Sequence, residues 1–261
     1  MDYIKFLGTA GARMVVAKQV RSSGGTWLCL GGNNLLLDPG PGSLVRCWSS
    51  KPKLDPITLD AIILSHKHLD HSGDVNAMIE AMTDGGFKKK GTVLAPEDAI
   101  NSDPVVFKYV RDYVNKIEIL KEEESYSING MSFFTSKRHV HPVETYGLTF
   151  QLPNCKLSFI TDTKYFPELS KMYKSDIIVI NTVLLKPRND IKIDHLSIED
   201  TKILIKELQP KTAILTHFGM SILKAKPWEV AERLSQETGV KTIAARDGMQ
   251  LKLNEILNIE D

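Results

Sequence analysis

The chain carries the stretch His66-Lys67-His68-Leu69-Asp70-His71 one residue after the apolar run Ala61–Leu64. The run has the length of a buried strand, and side chains two residues apart at its end can project to the same side. Asp70 and His71 follow in the turn into a helix, which we predict over Val75–Met82. Imidazole and carboxylate ligands together suit zinc, manganese or iron. The spacing therefore favours a metal site over a chance cluster of surface histidines.

Three further residues of ligand type also follow predicted strands. They are His141 after Met131–Val140, Asp162 after Leu157–Thr161 and His217 after Ala213–Thr216. In layered α/β folds, functional sites collect at one end of the strands. We expect these residues to join the first cluster, although His141 or His217 taken alone would more often be structural. His139 is expected on the same strand face as His141, and we interpret it as a bystander, with support of a ligand from behind as the alternative.

The rest of the chain alternates between short strands and helices. We predict a hairpin of Trp27–Leu30 and Asn33–Leu37, an amphipathic helix over Pro104–Val114, and a helix over Ser197–Leu208 in which Asp200 completes an acidic variant of the capping box. This order suggests two sheets packed together with helices outside.

The complete His-x-His-x-Asp-His motif at residues 66–71, followed by His141, Asp162 and His217 in that order, resembles the metallo-β-lactamase superfamily over nearly the whole chain. The resemblance implies an α/β (α+β) fold, the four-layer αββα sandwich, here as a single domain over residues 1–261. It also implies two divalent metal ions, with zinc favoured over manganese or iron. One ion would be held by His66, His68 and His141, the other by Asp70, His71 and His217, with Asp162 bridging them.

Such a metal pair implies hydrolysis by a hydroxide that bridges the two ions, because two cations lower the pKa of the water between them. Asp70 could in addition orient this hydroxide. Asp38 matches an acidic residue that the superfamily places after an early strand, where it would orient a ligand histidine from behind. A plain turn residue is the equally weighted alternative for Asp38.

His195 points to one branch of the superfamily. It resembles the histidine that ribonuclease Z-like tRNA-processing nucleases and the cyclic-phosphate phosphodiesterases carry before a helix, where it donates a proton or a hydrogen bond to the phosphate. A helix-flanking histidine without a role is the alternative. Lys186, Arg188 and Lys192 precede it and could bind an anionic substrate. A solvated basic loop is an equally weighted interpretation of these three.

Only the segment 142–161 separates His141 from Asp162. The bacterial and archaeal tRNA-processing nucleases insert a long tRNA-gripping arm there, so pre-tRNA is disfavoured as the substrate. The formal net charge of +1 gives no global basic field, and nucleic acid stays open as a partner without being favoured. Three scattered cysteines and the absence of an apolar run of membrane-spanning length predict a cytoplasmic protein without membrane contact.

We therefore expect a metal-dependent phosphodiesterase that hydrolyses a small cyclic phosphate or a nucleotide phosphodiester. Its partner would be this small anionic substrate, and the sequence leaves a homodimer open. A lactone, ester or thioester hydrolase on the same metal pair is the second hypothesis. A non-catalytic member that binds nucleic acid or another ligand is the third, and it is disfavoured because every ligand position of the motif is filled.

Overall fold

The computed structural model describes residues 2–188 and 193–257. Its strands are β1 Tyr3–Phe6, β2 Thr26–Leu30, β3 Asn33–Leu37, β4 Ala61–Ile63, β5 Thr92–Pro96, β6 Lys116–Leu120, β7 Ser125–Ile128, β8 Met131–Thr135, β9 Leu148–Gln151, β10 Lys156–Ile160, β11 Ile177–Asn181, β12 Thr212–Thr216, β13 Lys241–Ala244 and β14 Gln250–Lys252. They form one mixed sheet in the order β14-β1-β2-β3-β4-β5-β6 and a second in the order β13-β12-β11-β10-β9-β8-β7. Strands β3 to β6 run parallel in the first sheet, as do β10 to β13 in the second.

The α-helices of the described residues lie mostly on the outer faces of the two sheets, and the last one packs between the sheets. These helices are α1 Ala12–Ala17, α2 Ser43–Ser49, α3 Leu69–Ser72, α4 Val75–Met82, α5 Leu169–Met172, α6 Ile198–Leu208, α7 Met220–Lys224, α8 Pro227–Thr238 and α9 Leu253–Leu257. Within the described ranges, none of them is long and apolar enough to cross a membrane.

Three clusters of buried apolar side chains separate the layers. The central cluster joins inner faces of both sheets, with Phe6 and Leu28 from the first and Phe150 and Val179 from the second. The second cluster packs α4 against the outer face of the first sheet, and the third packs α6 and α8 against the second sheet. This layering confirms the αββα sandwich, because each sheet buries one face on the other and one face under helices.

Several local predictions are confirmed. The β2–β3 hairpin turns at Gly31 and Gly32, whose φ angles of 55° and 81° are available to glycine at little cost. Helix α4 has the predicted bounds. Helix α6 begins at Ser197 with a capping box, in which the serine hydroxyl accepts the backbone N–H of Asp200 and the Asp200 carboxylate accepts that of Ser197.

The amphipathic helix predicted over Pro104–Val114 is wrong. Only Lys108–Tyr113 forms a helical segment, and it is of the 3₁₀ type. The side chain of Asn76 on α4 donates to the carbonyl of Val105 at 2.8 Å and accepts the N–H of Phe107 at 2.8 Å. The Asn76 side chain thus pairs with backbone groups that would pair with each other in an α-helix. The apolar residues of this segment are therefore buried without forming an α-helix.

The strand predicted to reach Val140 ends at Thr135, so the prediction that His139 and His141 share a strand face is also wrong. Both histidines lie in the loop that leads to β9. The N–H of His139 donates to the carbonyl of Thr145 at 2.9 Å across this loop, and the N–H of His141 turns back to the carbonyl of His139 at 3.0 Å. These bonds hold the loop over the ends of the strands.

Candidate metal centre

The ligand-type residues gather where the parallel strands of both sheets end. Asp38 follows β3, His66 comes soon after β4, Asp162 follows β10 and His217 follows β12. The carboxyl ends of parallel strands meet at one edge of a sheet, and ligand sites in open α/β sheets lie there. The two sheets thus bring residues far apart in sequence to one edge of the sandwich.

The first group consists of His66, His68 and His141, whose ring nitrogens lie within 4.8 Å of one another. His68 Nδ1 is 3.0 Å from His141 Nε2. His66 is fully buried, and its Nε2 has no hydrogen-bond partner among the described residues. The Nδ1 atom of His141 lies 3.0 Å from the carbonyl oxygen of Asp194, which leaves Nε2 as the nitrogen available to an ion.

The second group consists of Asp70, His71 and His217. His71 Nε2 is 2.9 Å from His217 Nε2, and Asp70 Oδ2 is 3.4 Å from His217 Nε2 and 3.8 Å from His71 Nε2. Asp70 and His71 lie on α3, whose short turn follows directly from His68. One local stretch therefore contributes to both groups.

Asp162 lies between the two groups. Its Oδ2 atom is 3.8 Å from His66 Nε2 and 3.4 Å from His71 Nε2. Its Oδ1 atom accepts a hydrogen bond of 2.9 Å from the side-chain amide of Asn181, at the end of β11. A carboxylate that contacts nitrogens of both groups has the placement that a bridging ligand requires.

The donor set fits divalent cations. Tetrahedral zinc with Zn–N distances of about 2.0–2.1 Å places its ligand nitrogens about 3.3 Å apart. The pairs His68–His141 and His71–His217 lie close to that spacing, at 3.0 and 2.9 Å. The buried His66 Nε2 and His217 Nδ1 also make no hydrogen bond in the described structure, whereas buried polar atoms are normally hydrogen-bonded.

The electrostatics of the site indicate a place for positive charge. Burial is the main cause that lowers the pKa of His66, and the nearby His71 lowers it further, so His66 is held in the neutral form that binds metal. Burial also opposes the charged form of His71, but Asp162, Asp38 and Asp70 outweigh it and raise the pKa of His71. Three carboxylates around one imidazole would likewise stabilise a divalent cation.

Asp38 lies behind the ligand side chains, where it contacts His71 directly and His66 through Ser65. Its Oδ2 is 2.9 Å from His71 Nδ1 and accepts the hydroxyl of Ser65 at 2.7 Å. The Ser65 hydroxyl oxygen is in turn 2.9 Å from His66 Nδ1. These contacts direct Nε2 of both histidines away from Asp38 and towards the site, and sequence reasoning could not separate this role from a turn residue.

His217 has a left-handed backbone, with φ at 59°, which is uncommon for residues other than glycine. The loop before α1 packs directly against it. A Cβ atom built on Gly11 would lie 2.1 Å from the carbonyl oxygen of His217, and the Gly11 N–H donates to the carbonyl of Phe218 at 3.0 Å. Only glycine allows this approach, so the N-terminal loop helps to hold His217 in place.

His139 is fully enclosed beneath the site. Its Nδ1 lies 3.2 Å from the carbonyl oxygen of Asp162, and its Nε2 is 2.5 Å from the hydroxyl of Tyr173. These contacts tie the His139–His141 loop to the Asp162 loop, and they are those of a supporting residue rather than a bystander. The sequence carries no signal for them, because Tyr173 is distant along the chain.

The predicted phosphate-contacting residues lie in different places. His195 Nδ1 is 3.5 Å from Asp162 Oδ2, and His195 also lies within ligand distance of Asp162 and His217, so this position could hold an ion as well as contact a substrate. Lys186 lines an outer groove with Glu199 and Glu229 rather than the metal centre. Arg188 is exposed, and Lys192 lies outside the described residues.

The chain matches the beta-lactamase superfamily domain over residues 33–218, and it belongs to that family. It is 29% identical over 257 residues to the uncharacterized protein MJ1374 of Methanocaldococcus jannaschii, covering 96% of this chain and 94% of that protein. It is 23% identical over 282 residues to ribonuclease Z of Clostridium tetani, covering 84% of this chain and 89% of the nuclease.

Solved structures share the fold. The metallo-beta-lactamase fold protein YhfI of Bacillus subtilis superposes with a TM-score of 0.75 at 17% identity, covering 96% of this chain and 99% of YhfI. A diphosphatase from the PhnP family superposes with a TM-score of 0.72 at 18% identity, covering 97% of each chain. Family and fold together make this chain a metallo-hydrolase relative whose His/Asp groups could hold metal.

Proposed function

We propose that this protein is a metal-dependent phosphodiesterase with two divalent ions, acting on a small cyclic phosphate or a nucleotide phosphodiester. The observation that carries the proposal is His195, a further imidazole at the site whose Nδ1 lies 3.5 Å from the central carboxylate of Asp162. The similarity to ribonuclease Z and to a PhnP-family diphosphatase supports it. Zinc is the favoured metal because imidazole and carboxylate donors surround the site.

His66, His68 and His141 would hold one ion, Asp70, His71 and His217 the other, and Asp162 both. Divalent ions bound there supply Lewis acidity and activated water. The chain itself orients the ligands through Asp38 and Asn181 and excludes bulk water by burying His66, His71 and Asp162. His195 donates a proton or a hydrogen bond to a phosphoryl oxygen, and Asp70 accepts one from the attacking water.

The first test is metal analysis of protein purified from metal-replete medium, where about two transition ions per chain are expected. Substrates are then compared on the metal-loaded protein: bis-p-nitrophenyl phosphate, cyclic nucleotides, ribose cyclic phosphates and lactones. Hydrolysis of phosphodiesters without lactones supports the proposal. Fewer than one ion per chain, or activity on lactones alone, contradicts it.

The role of His195 is tested separately with the variant His195→Ala. General acid–base groups contribute about 10²- to 10⁴-fold to rate, so turnover of bis-p-nitrophenyl phosphate should fall within that range at unchanged metal content. Loss of an ion in this variant would instead make His195 a ligand. Unchanged turnover would contradict the role of His195 as a donor to phosphate and remove the observation that separates this proposal from the ester-hydrolase hypothesis.

A further inference from the structure

Helix α1 begins next to His217 of the candidate metal centre. Gly11 packs against the His217 backbone, and Ala12 turns the chain with a φ of 61°. The helix that follows contacts α3, the turn that carries Asp70 and His71. The first residues of α1 therefore lie between His217 and α3 of the candidate site.

The side chains of α1 divide between anchoring and exposure. Val15 is fully buried and fixes the helix, whereas Arg13 and Met14 are exposed. Arg13 is two residues from Gly11, which packs on His217, and it lies on the helix that contacts α3. These contacts place Arg13 at the rim of the candidate centre.

The Arg13 guanidinium has no hydrogen-bond or ion-pair partner within the described structure. None of the hydrogen bonds and ion pairs among residues 2–188 and 193–257 includes its side chain, while Lys67 next to His68 pairs with Asp98 and Asp103 at 3.5 and 3.1 Å. A guanidinium offers a planar fork of donors that matches two phosphate oxygens. An unpaired arginine beside a metal centre is suited to an anionic ligand.

We propose that Arg13 binds non-bridging phosphate oxygens of the substrate and so makes the centre selective for anionic phosphodiesters. This inference rests on the proposed phosphodiesterase function, and it assigns phosphate binding to α1 rather than to the loop that contains Lys186. The Arg13 guanidinium would then stabilise the negative charge that the phosphoryl group carries through the reaction.

The test measures binding of inorganic phosphate to the zinc-loaded protein by equilibrium dialysis. Arg13→Ala should weaken binding about tenfold, since hydrogen bonds to charged groups are the strong ones. Arg13→Lys keeps the charge without the fork and should fall between. Lys18→Ala, at the other end of α1, is the matched control and should bind phosphate as the wild type does.

The same variants are assayed for zinc content and for KM with bis-p-nitrophenyl phosphate at low and high salt. We expect unchanged zinc, a raised KM in Arg13→Ala and a weaker dependence of that KM on salt. Equal phosphate binding in Arg13→Ala, an equal loss in Lys18→Ala, or a loss of zinc in Arg13→Ala would each overturn the inference. If the wild type hydrolyses no phosphodiester, the proposed function fails, while Arg13-dependent phosphate binding would still establish the anion site.

Discussion

Replacement of Asp38 by alanine should weaken both metal positions at once. The Asp38 carboxylate accepts three hydrogen bonds, from Ser65 N–H at 2.6 Å, from the Ser65 hydroxyl at 2.7 Å and from His71 Nδ1–H at 2.9 Å. Because its hydroxyl proton points to Asp38, Ser65 can accept a hydrogen bond from Nδ1–H of His66. One carboxylate therefore fixes the tautomer of one histidine from each ligand group.

The expected magnitude follows from these contacts. Three buried donors lose their acceptor in Asp38→Ala, and at about 1 kcal/mol each the free energy of unfolding of the metal-free protein should fall by about 3 kcal/mol. Loss of an outer partner of a ligand typically lowers metal affinity by about 10- to 100-fold. Since His66 and His71 belong to different groups, we expect zinc affinity to fall for both ions rather than for one.

Zinc affinity is measured by competition with a chromophoric chelator, and stability by urea denaturation in the presence of a chelator. The matched control is Asp60→Ala, at the opposite end of β4, where Asp60 accepts hydrogen bonds from Asn34 N–H at 2.9 Å and from the Asn129 amide at 3.1 Å. The control should lose stability without losing zinc affinity. Wild-type zinc affinity in Asp38→Ala would refute the orienting role.

Three other substitutions test the scaffold around the site. Ser197→Ala removes the cap of α6 and should lower the free energy of unfolding by about 1 kcal/mol in urea, with no change in zinc content. Gly11→Ala places a Cβ atom 2.1 Å from the carbonyl oxygen of His217 and should lower both the thermal midpoint and zinc affinity; an unchanged midpoint would contradict the close packing. Tyr173→Phe leaves Nε2 of His139 without its partner at 2.5 Å and should lower zinc affinity while the far-ultraviolet circular dichroism stays native. A native affinity there would show that His139 holds the Asp162 loop unaided.

The sequence predicts the sandwich because its strands are short, apolar and bounded by turn residues. Ala61–Ile63 and Thr212–Thr216 are fully buried strands, and each is followed within three residues by a ligand-type histidine. The position of a strand end is well determined, because backbone hydrogen bonds to the neighbouring strands fix it. For this reason His66, Asp162 and His217 meet as expected, although long stretches of chain separate them.

Predictions fail where long-range contacts replace local ones. The apolar spacing of Val105, Val106, Val110 and Val114 is compatible with a helix, yet Asn76 of α4 takes the backbone hydrogen bonds of this segment. The loop after β8 is shaped in the same way by the bond from His139 to Thr145. Asn76 is distant in sequence from the segment it contacts, and the turn from His139 to Thr145 has no regular spacing, so propensity alone assigns the wrong structure.

The position of a basic residue in the fold is a better guide to the proposed anion binding than its distance in sequence from the histidine motif. Lys186 lies close to His195 in sequence, which favours it as a phosphate ligand, but the fold turns it into a groove that also contains Glu199 and Glu229. Arg13 belongs to no motif, and the contacts of Gly11 with His217 and of α1 with α3 bring it to the rim of the centre. Strand ends fix the ligands, whereas loops vary and carry specificity. Substitution of Arg13, which is exposed on α1, should therefore change which anions bind while leaving the ligand set of the metal centre intact.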